Sequence, residues 1–253
     1  MNIQLIRHAT LKIKFNNLTI LVDPMFSPKG GLAPVADAAN EDCNPLVSLP
    51  VKVEEIIEDV DAIIVTHLHR DHLDDAAIQT LPKELAVFCQ TEDELKLLEY
   101  GFSNVVKVQS KWEWSGIKLS RTGGRHGTGE LAKAMGPVSG FVLEADSEET
   151  FYVAGDTVWC DEVEDAINTY KPKVIILNGG EAQFLTGDPI TMGSIDIEKV
   201  SRNAAESTII VVHMESWNHC LLKRSTLKEL VEANEIRNVI VPDDGEKINF
   251  LFG

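Results

Sequence analysis

Thr66-His67-Leu68-His69-Arg70-Asp71-His72 follows directly on Ala62-Ile63-Ile64-Val65. The run at 62–65 is short, apolar and β-branched, which reads as a buried strand. The stretch after it sets four potential metal ligands, His67, His69, Asp71 and His72, within six residues. They fall where the chain leaves a sheet, in the turn before a helix that begins near Asp74. Three imidazoles and a carboxylate suit zinc or a similar first-row ion. They are too many for one tetrahedral centre that also keeps an open position, so the stretch points to two adjacent ions fed from one short loop. A polar turn with surface histidines is the plainer alternative. Against it, three of the chain's seven histidines fall in this one stretch.

T-H-L-H-R-D-H resembles the T-H-x-H-x-D-H signature of the metallo-β-lactamase superfamily. The resemblance implies an α/β fold, a four-layer αββα sandwich. It also implies hydrolysis of esters, lactones, thioesters, phosphodiesters or lactams with one or two metals. Further stations follow in the family's order. Asp23 in Leu21-Val22-Asp23-Pro24 matches the aspartate that ends an early strand, and His126 in Gly124-Arg125-His126-Gly127 matches the third metal histidine. Asp156 in Gly155-Asp156-Thr157 matches the bridging carboxylate, and His213, after Ile209-Ile210-Val211-Val212, the last ligand. The flanks Met135-Gly136-Pro137-Val138-Ser139-Gly140-Phe141 and His213-Met214-Glu215-Ser216-Trp217-Asn218-His219 resemble the ascorbate-6-phosphate-lactonase-like, metal-dependent hydrolase branch.

By these matched positions, His67, His69 and His126 would hold one ion, Asp71, His72 and His213 a second, and Asp156 would bridge them. Two divalent ions are expected, zinc first, with manganese or iron as alternatives. A metal brings the pKa of bound water from 15.7 toward ~7, which makes hydroxide available at neutral pH. Asp71 would orient that hydroxide. His219, six residues past His213, is a candidate for substrate contact or proton donation. Glu215 is expected to support the metal histidines from behind, and Asn218 belongs to the same polar cluster. Asp23 reads as a support rather than a ligand. His8, just past the first strand, reads equally as pocket wall and as structural histidine.

The charge count, 23 basic against 40 acidic residues, gives a net charge of −17 spread along the chain. Such a surface disfavours nucleic acid and anionic membranes, leaving a small-molecule substrate; it is compatible with a homo-oligomer. Cys43, Cys89, Cys160 and Cys220 show no C-x-x-C spacing and read as reduced thiols of a cytoplasmic protein. The start has no basic end followed by a long apolar core, so no signal peptide is expected, and no apolar stretch approaches the ~18 residues a membrane span needs.

One domain is expected over 1–253, because the proposed ligands must converge and no linker divides them. Strands are expected at 2–6, 11–15, 18–22, 61–65, 86–89, 105–108, 117–120, 138–144, 150–154, 174–177, 208–212 and 238–241. Asn16-Asn17 fits a two-residue hairpin turn. Helices are expected near 74–80, 91–99, 161–168, 196–205 and 226–234, with Thr91-x-x-Glu94 and Thr226-x-x-Glu229 as capping boxes. Residues 24–50 hold half of the ten prolines and read as a substrate-facing lid.

The leading function is therefore a metal-dependent hydrolase. An oxygen- or sulfur-handling metalloprotein on the same fold is the alternative, though diiron relatives carry Glu where this chain has His69. A non-catalytic binding module is the third reading, and the complete ligand set argues against it.

Overall fold

The apolar runs become strands of two seven-stranded sheets packed face to face. The structure, a computed structural model, describes residues 1–250; the last three residues of the expected domain lie outside them. The first half of the chain gives β1 (Asn2–Arg7), β2 (Thr10–Phe15), β3 (Leu18–Val22), α1 (Val53–Ile57), β4 (Ala62–Val65), α2 (Asp75–Thr80), β5 (Ala86–Cys89), α3 (Glu94–Glu99) and β6 (Asn104–Lys107). The second half gives β7 (Lys111–Trp114), β8 (Ile117–Thr122), α4 (Gly129–Met135), β9 (Gly140–Ala145), β10 (Glu148–Val153), α5 (Asp161–Tyr170), β11 (Val174–Asn178), α6 (Ser194–Asn203), β12 (Thr208–Val212), α7 (Arg224–Ala233), β13 (Val239–Ile240) and β14 (Lys247–Asn249).

The sheet orders are β14-β1-β2-β3-β4-β5-β6 and β13-β12-β11-β10-β9-β8-β7. Each sheet is antiparallel on one side and parallel on the other: β3 to β6 run parallel in the first, β10 to β13 in the second. The parallel strands explain the unbroken apolar runs, because both of their faces are covered. In β4, Ala62 and Ile64 point into the core between the sheets, while Ile63 and Val65 point outward under helices. In β12, Ile210 and Val212 point inward and Ile209 and Val211 outward. The outer cluster of the first sheet includes Ile56 of α1, Ala77 of α2 and Leu97 of α3. That of the second includes residues of α5, α6 and α7. Helix, sheet, sheet, helix is the expected four-layer order.

Asn16 and Asn17 both adopt positive φ, 50° and 61°, as a tight two-residue hairpin requires. The two capping boxes do not form. Residues 91–93 make a 3-10 turn that leads into α3, and α7 starts at Arg224, so Thr226 lies inside the helix. Neither residue before these elements, Gln90 or Lys223, caps with its side chain. Asp74 does cap α2, accepting from the Ala77 amide at 2.8 Å, and it also accepts the amides of Phe26 and Ser27. It thereby ties the start of the 24–50 segment to the helix that follows the histidine turn.

That segment has no helix and a single bridge, Leu32 to Asn44. Its backbone polar groups are met partly within the segment and partly by side chains from elsewhere, as a packed loop demands. The buried Arg7 guanidinium donates to the carbonyls of Val47, Met25 and Ser27. Arg70 donates to those of Ala33 and Pro34. Among the described residues no helix is long and apolar enough to cross a membrane.

Candidate metal centre

Eight site residues lie at the carboxyl ends of strands that run the same way. His8 follows β1, Asp23 follows β3, Thr66 and His67 follow β4, His126 lies past β8, Asp156 past β10, Asn178 ends β11, and His213 follows β12. Three of these exits use left-handed backbone at a residue other than glycine: His8 at φ 62°, Asp23 at 45° and His213 at 64°. The turn before Asp156 uses Gly155 at φ 72°, where a Cβ would lie 2.6 Å from the Ser139 carbonyl, so only glycine fits.

The histidines form two groups around one carboxylate. His67, His69 and His126 bring their nitrogens within 4.8 Å of one another, and so do the ligand atoms of Asp71, His72, Asp156 and His213. Asp156 Oδ2 lies 3.2 Å from His72 Nε2, 3.5 Å from His126 Nε2 and 3.9 Å from His67 Nε2. Its Oδ1 lies 3.5 Å from His213 Nε2 and accepts from the Asn178 amide at 2.7 Å. Asp71 Oδ2 lies 3.4 Å from His213 Nε2 and accepts from His8 Nε2 at 3.3 Å.

Hydrogen bonds fix which nitrogen each ring presents. His72 donates its Nδ1–H to Asp23 at 2.8 Å, His126 its Nδ1–H to the Ile190 carbonyl at 2.7 Å, and His69 its Nε2–H to the Met135 carbonyl at 3.1 Å. Thr66 gives its hydroxyl proton to Asp23, so its oxygen accepts His67 Nδ1–H at 3.2 Å. The free nitrogens then all face inward. His67, His72 and His213 leave Nε2 buried without a hydrogen-bond partner. His126 Nε2 and His69 Nδ1 face each other at 3.3 Å with both hydrogens committed elsewhere. Two lone pairs so placed repel unless a cation lies between them. Two imidazoles on a tetrahedral zinc with bonds of ~2.0–2.1 Å stand about 3.3 Å apart. The donor set therefore fits a divalent metal.

Charges follow the same pattern. Burial lowers His67 and His126 below the usual imidazole range, so both are neutral. Burial also works against the charged form of His72, but Asp156, Asp23 and Asp71 overcome it and raise its pKa to about 10. His213 is likewise raised, against burial, chiefly by Asp156. Burial opposes the charged forms of Asp71 and Asp156 too, yet their histidine neighbours hold both well below the usual carboxylate range. Without metal, protons on His72 and His213 balance the carboxylates; a cation would take their place.

A cavity of about 270 Å³ opens on this cluster, lined among others by Val35, Met135, Phe184, Ile190, Trp217 and His219. Burial lowers the pKa of His219 to about 4, so it is neutral near pH 7. Thus all seven histidines meet in one region: five around the carboxylates, His8 tilted against the His213 ring at 3.7 Å between centroids, and His219 on the cavity wall.

Two expected site residues serve elsewhere. Glu215, expected to back the metal histidines, sits at φ 58° and pairs with Arg224 at 3.0 Å. Asn218 is a strap for the 24–50 segment rather than a substrate group. Its side chain accepts from Val35 N and Asn44 Nδ2 and donates to the carbonyls of Val35 and Asn40. Asn178, Thr66, Cys220 and the carbonyls of Ile190 and Met135 were not foreseen. Asn178 had a readable signal, a polar residue ending an apolar strand; the carbonyls had none.

A four-layer αββα fold with a buried histidine–aspartate cluster at its strand ends defines a class of metal-dependent hydrolases. The chain belongs to the metallo-β-lactamase superfamily, its residues 19–214 matching the Beta-lactamase superfamily domain. The UPF0173 protein YddR of Bacillus subtilis is 44% identical over 254 residues, which cover 99% of this chain and 100% of that protein. The structure of a possible metal-dependent hydrolase from Veillonella parvula superposes with a TM-score of 0.96 at 38% identity, covering 99% of each chain. That of an isothiocyanate hydrolase from Delia radicum gut bacteria superposes at 0.94 with 35% identity, again over 99% of each chain.

Proposed function

We propose that this metal-dependent hydrolase works with two divalent ions, zinc by preference, on a small uncharged electrophile. One ion belongs to His67, His69 and His126, the other to Asp71, His72 and His213. The observation that carries the reading is the reach of Asp156, whose carboxylate is within 3.9 Å of imidazole nitrogens in both groups. Imidazole and carboxylate donors suit zinc, and also manganese or iron. When bound, such ions supply water acidified enough to ionise near neutral pH and positive charge for a developing oxyanion.

The chain's own residues do the rest. Asp71, steadied by His8, accepts a hydrogen bond from the attacking water and orients it. His219 meets the substrate as a neutral imidazole. Val35, Met135, Phe184, Ile190 and Trp217 receive its apolar part and exclude water.

The cations around the cavity point to an uncharged substrate. Among the described residues lining the cavity, Arg70 is the one cation, and it is committed to the Ala33 and Pro34 carbonyls and lies 5.2 Å over the Trp217 ring. Arg7 is held by loop carbonyls, and Arg125 pairs with Asp161 and Glu162. The cavity thus offers a phosphate a single guanidinium, already turned through Nη2 to backbone carbonyls, so esters, lactones and isothiocyanates fit better than phosphodiesters. The isothiocyanate hydrolase at 35% identity supports the same substrate class. The test is metal counting on purified and reconstituted protein, joined to a panel of isothiocyanates, neutral esters, lactones and phosphodiesters. Metal content that never exceeds one ion per chain would refute the paired site. Hydrolysis confined to phosphodiesters would refute the substrate class.

A further inference from the structure

Four of the five inward-facing histidines are backed by oxygen: Thr66 Oγ1, Met135 O, Ile190 O and Asp23 Oδ2. His213 is different. Cys220 Sγ lies 3.6 Å behind its Nδ1. Its other nitrogen, Nε2, is buried, has no hydrogen-bond partner, and faces Asp71 and Asp156 at 3.4 and 3.5 Å. We propose that Cys220 is a positioning residue: its sulfur accepts the Nδ1–H of His213 and holds the imidazole in the tautomer and orientation that present Nε2 to a metal ion. This rests on the reading of His213 as a ligand.

The surroundings leave the ring little else to do. His8 lies tilted against one face at 3.7 Å between ring centroids, and its carbonyl accepts the His213 amide at 2.8 Å. Gly180 makes room behind. A Cβ there would fall 2.0 Å from the His213 carbonyl and 3.2 Å from Cys220 Sγ, so glycine lets both approach. The cysteine is itself fixed, its amide donating to the Trp217 carbonyl at 3.0 Å. Sulfur is a weak acceptor, yet at this spot it is the acceptor the ring has. Remove it, and a ring turned to metal keeps a buried N–H without a partner. The ring then does better with a proton kept on Nε2 and donated to Asp71 or Asp156. That form cannot ligate.

The experiment compares Cys220→Ala, Cys220→Ser and His213→Ala with wild type by zinc-chelator competition on the whole protein. Histidine 15N NMR reads in parallel which ring nitrogens carry a proton. Cys220→Ala is expected to weaken one zinc equivalent by about 10–100-fold and leave the other unchanged. At zinc concentrations that strip the Nε2 proton from wild-type His213, the Cys220→Ala ring should still hold it. Cys220→Ser keeps an acceptor at nearly the same volume and should recover most of the loss, which separates hydrogen bonding from packing. Wild-type affinity in Cys220→Ala, or equal losses in the serine and alanine variants, would overturn the inference. If His213→Ala also binds two equivalents like wild type, His213 is no ligand and the underlying reading has failed instead.

Discussion

Replacing Asp23 by asparagine should cost metal and spare the fold. Asp23 is 1% exposed and takes three hydrogen bonds, each at 2.8 Å. Thr66 N–H goes to Oδ1, while the Thr66 hydroxyl and His72 Nδ1–H go to Oδ2. An amide keeps the shape but has one oxygen. The hydroxyl can rotate to accept from the new NH₂, but the two N–H donors cannot. Whichever way the amide turns, one of them faces another donor. Without metal, His72 escapes by giving up its Nδ1 proton and keeping the one on Nε2, toward Asp156. With metal on Nε2 it has no escape, so the penalty falls on the loaded state. A buried donor left unmatched costs about 1–3 kcal/mol. Ten- to hundredfold weaker metal binding corresponds to roughly 1.4–2.7 kcal/mol, the range expected for a lost partner behind a metal histidine. Chelator competition would measure the affinity, and thermal unfolding of the metal-free protein would check the fold. A D23N protein that holds every equivalent as tightly as wild type would refute the reasoning.

Metal affinity should rise with pH, because His72 is raised to about 10 and His213 is raised as well, so both carry protons that loading must displace. Calorimetry in buffers of different ionisation enthalpy should detect proton release, and its absence near pH 7 would contradict the assignment. Asp156→Ala should lose both metal and hydrolysis, since its carboxylate reaches both histidine groups; full metal content by mass spectrometry would make the Gly155-Asp156-Thr157 turn merely structural. Asn218→Ala, which cuts four side-chain hydrogen bonds to the 24–50 segment, should raise KM or alter substrate preference at near-normal metal content, because Val35 and Ala36 of that segment line the cavity. Unchanged kinetics in a folded variant would count against the segment as a lid.

The histidine–aspartate cluster was legible where the chemistry is local. Residues 62–72 carry both a buried strand and the turn beyond it, and each asparagine of Asn16-Asn17 suits positive φ. The less legible parts depend on distant partners. Glu215 is polar and two residues from His213, but Arg224, nine residues on, turns it outward. Asn218 looks like a substrate group until Val35, Asn40 and Asn44 arrive from the other end of the chain. Some elements are too short or too exposed for periodicity to show. α1 buries only Ile56 and α4 none of its residues, while β7 at the sheet edge has three exposed residues of four. Thr91 and Thr226 carried sound cap signals, yet neither is a cap: Thr91 is already the first residue of the 3-10 turn, and α7 begins two residues before Thr226.

The left-handed exits at His8, Asp23 and His213 bear on how far this protein can be stabilised. Left-handed backbone at a residue with a Cβ costs about 1–2 kcal/mol, so the chain sits some distance below the stability its fold could reach. Glycine at any of the three would relax the backbone and remove the very side chain the bend aims inward. Selection for thermal stability alone would therefore drift toward a sturdier, inactive sandwich. A stabilised variant worth having must gain its margin elsewhere, at positions such as the exposed Leu95 or Trp112 that play no part in the centre.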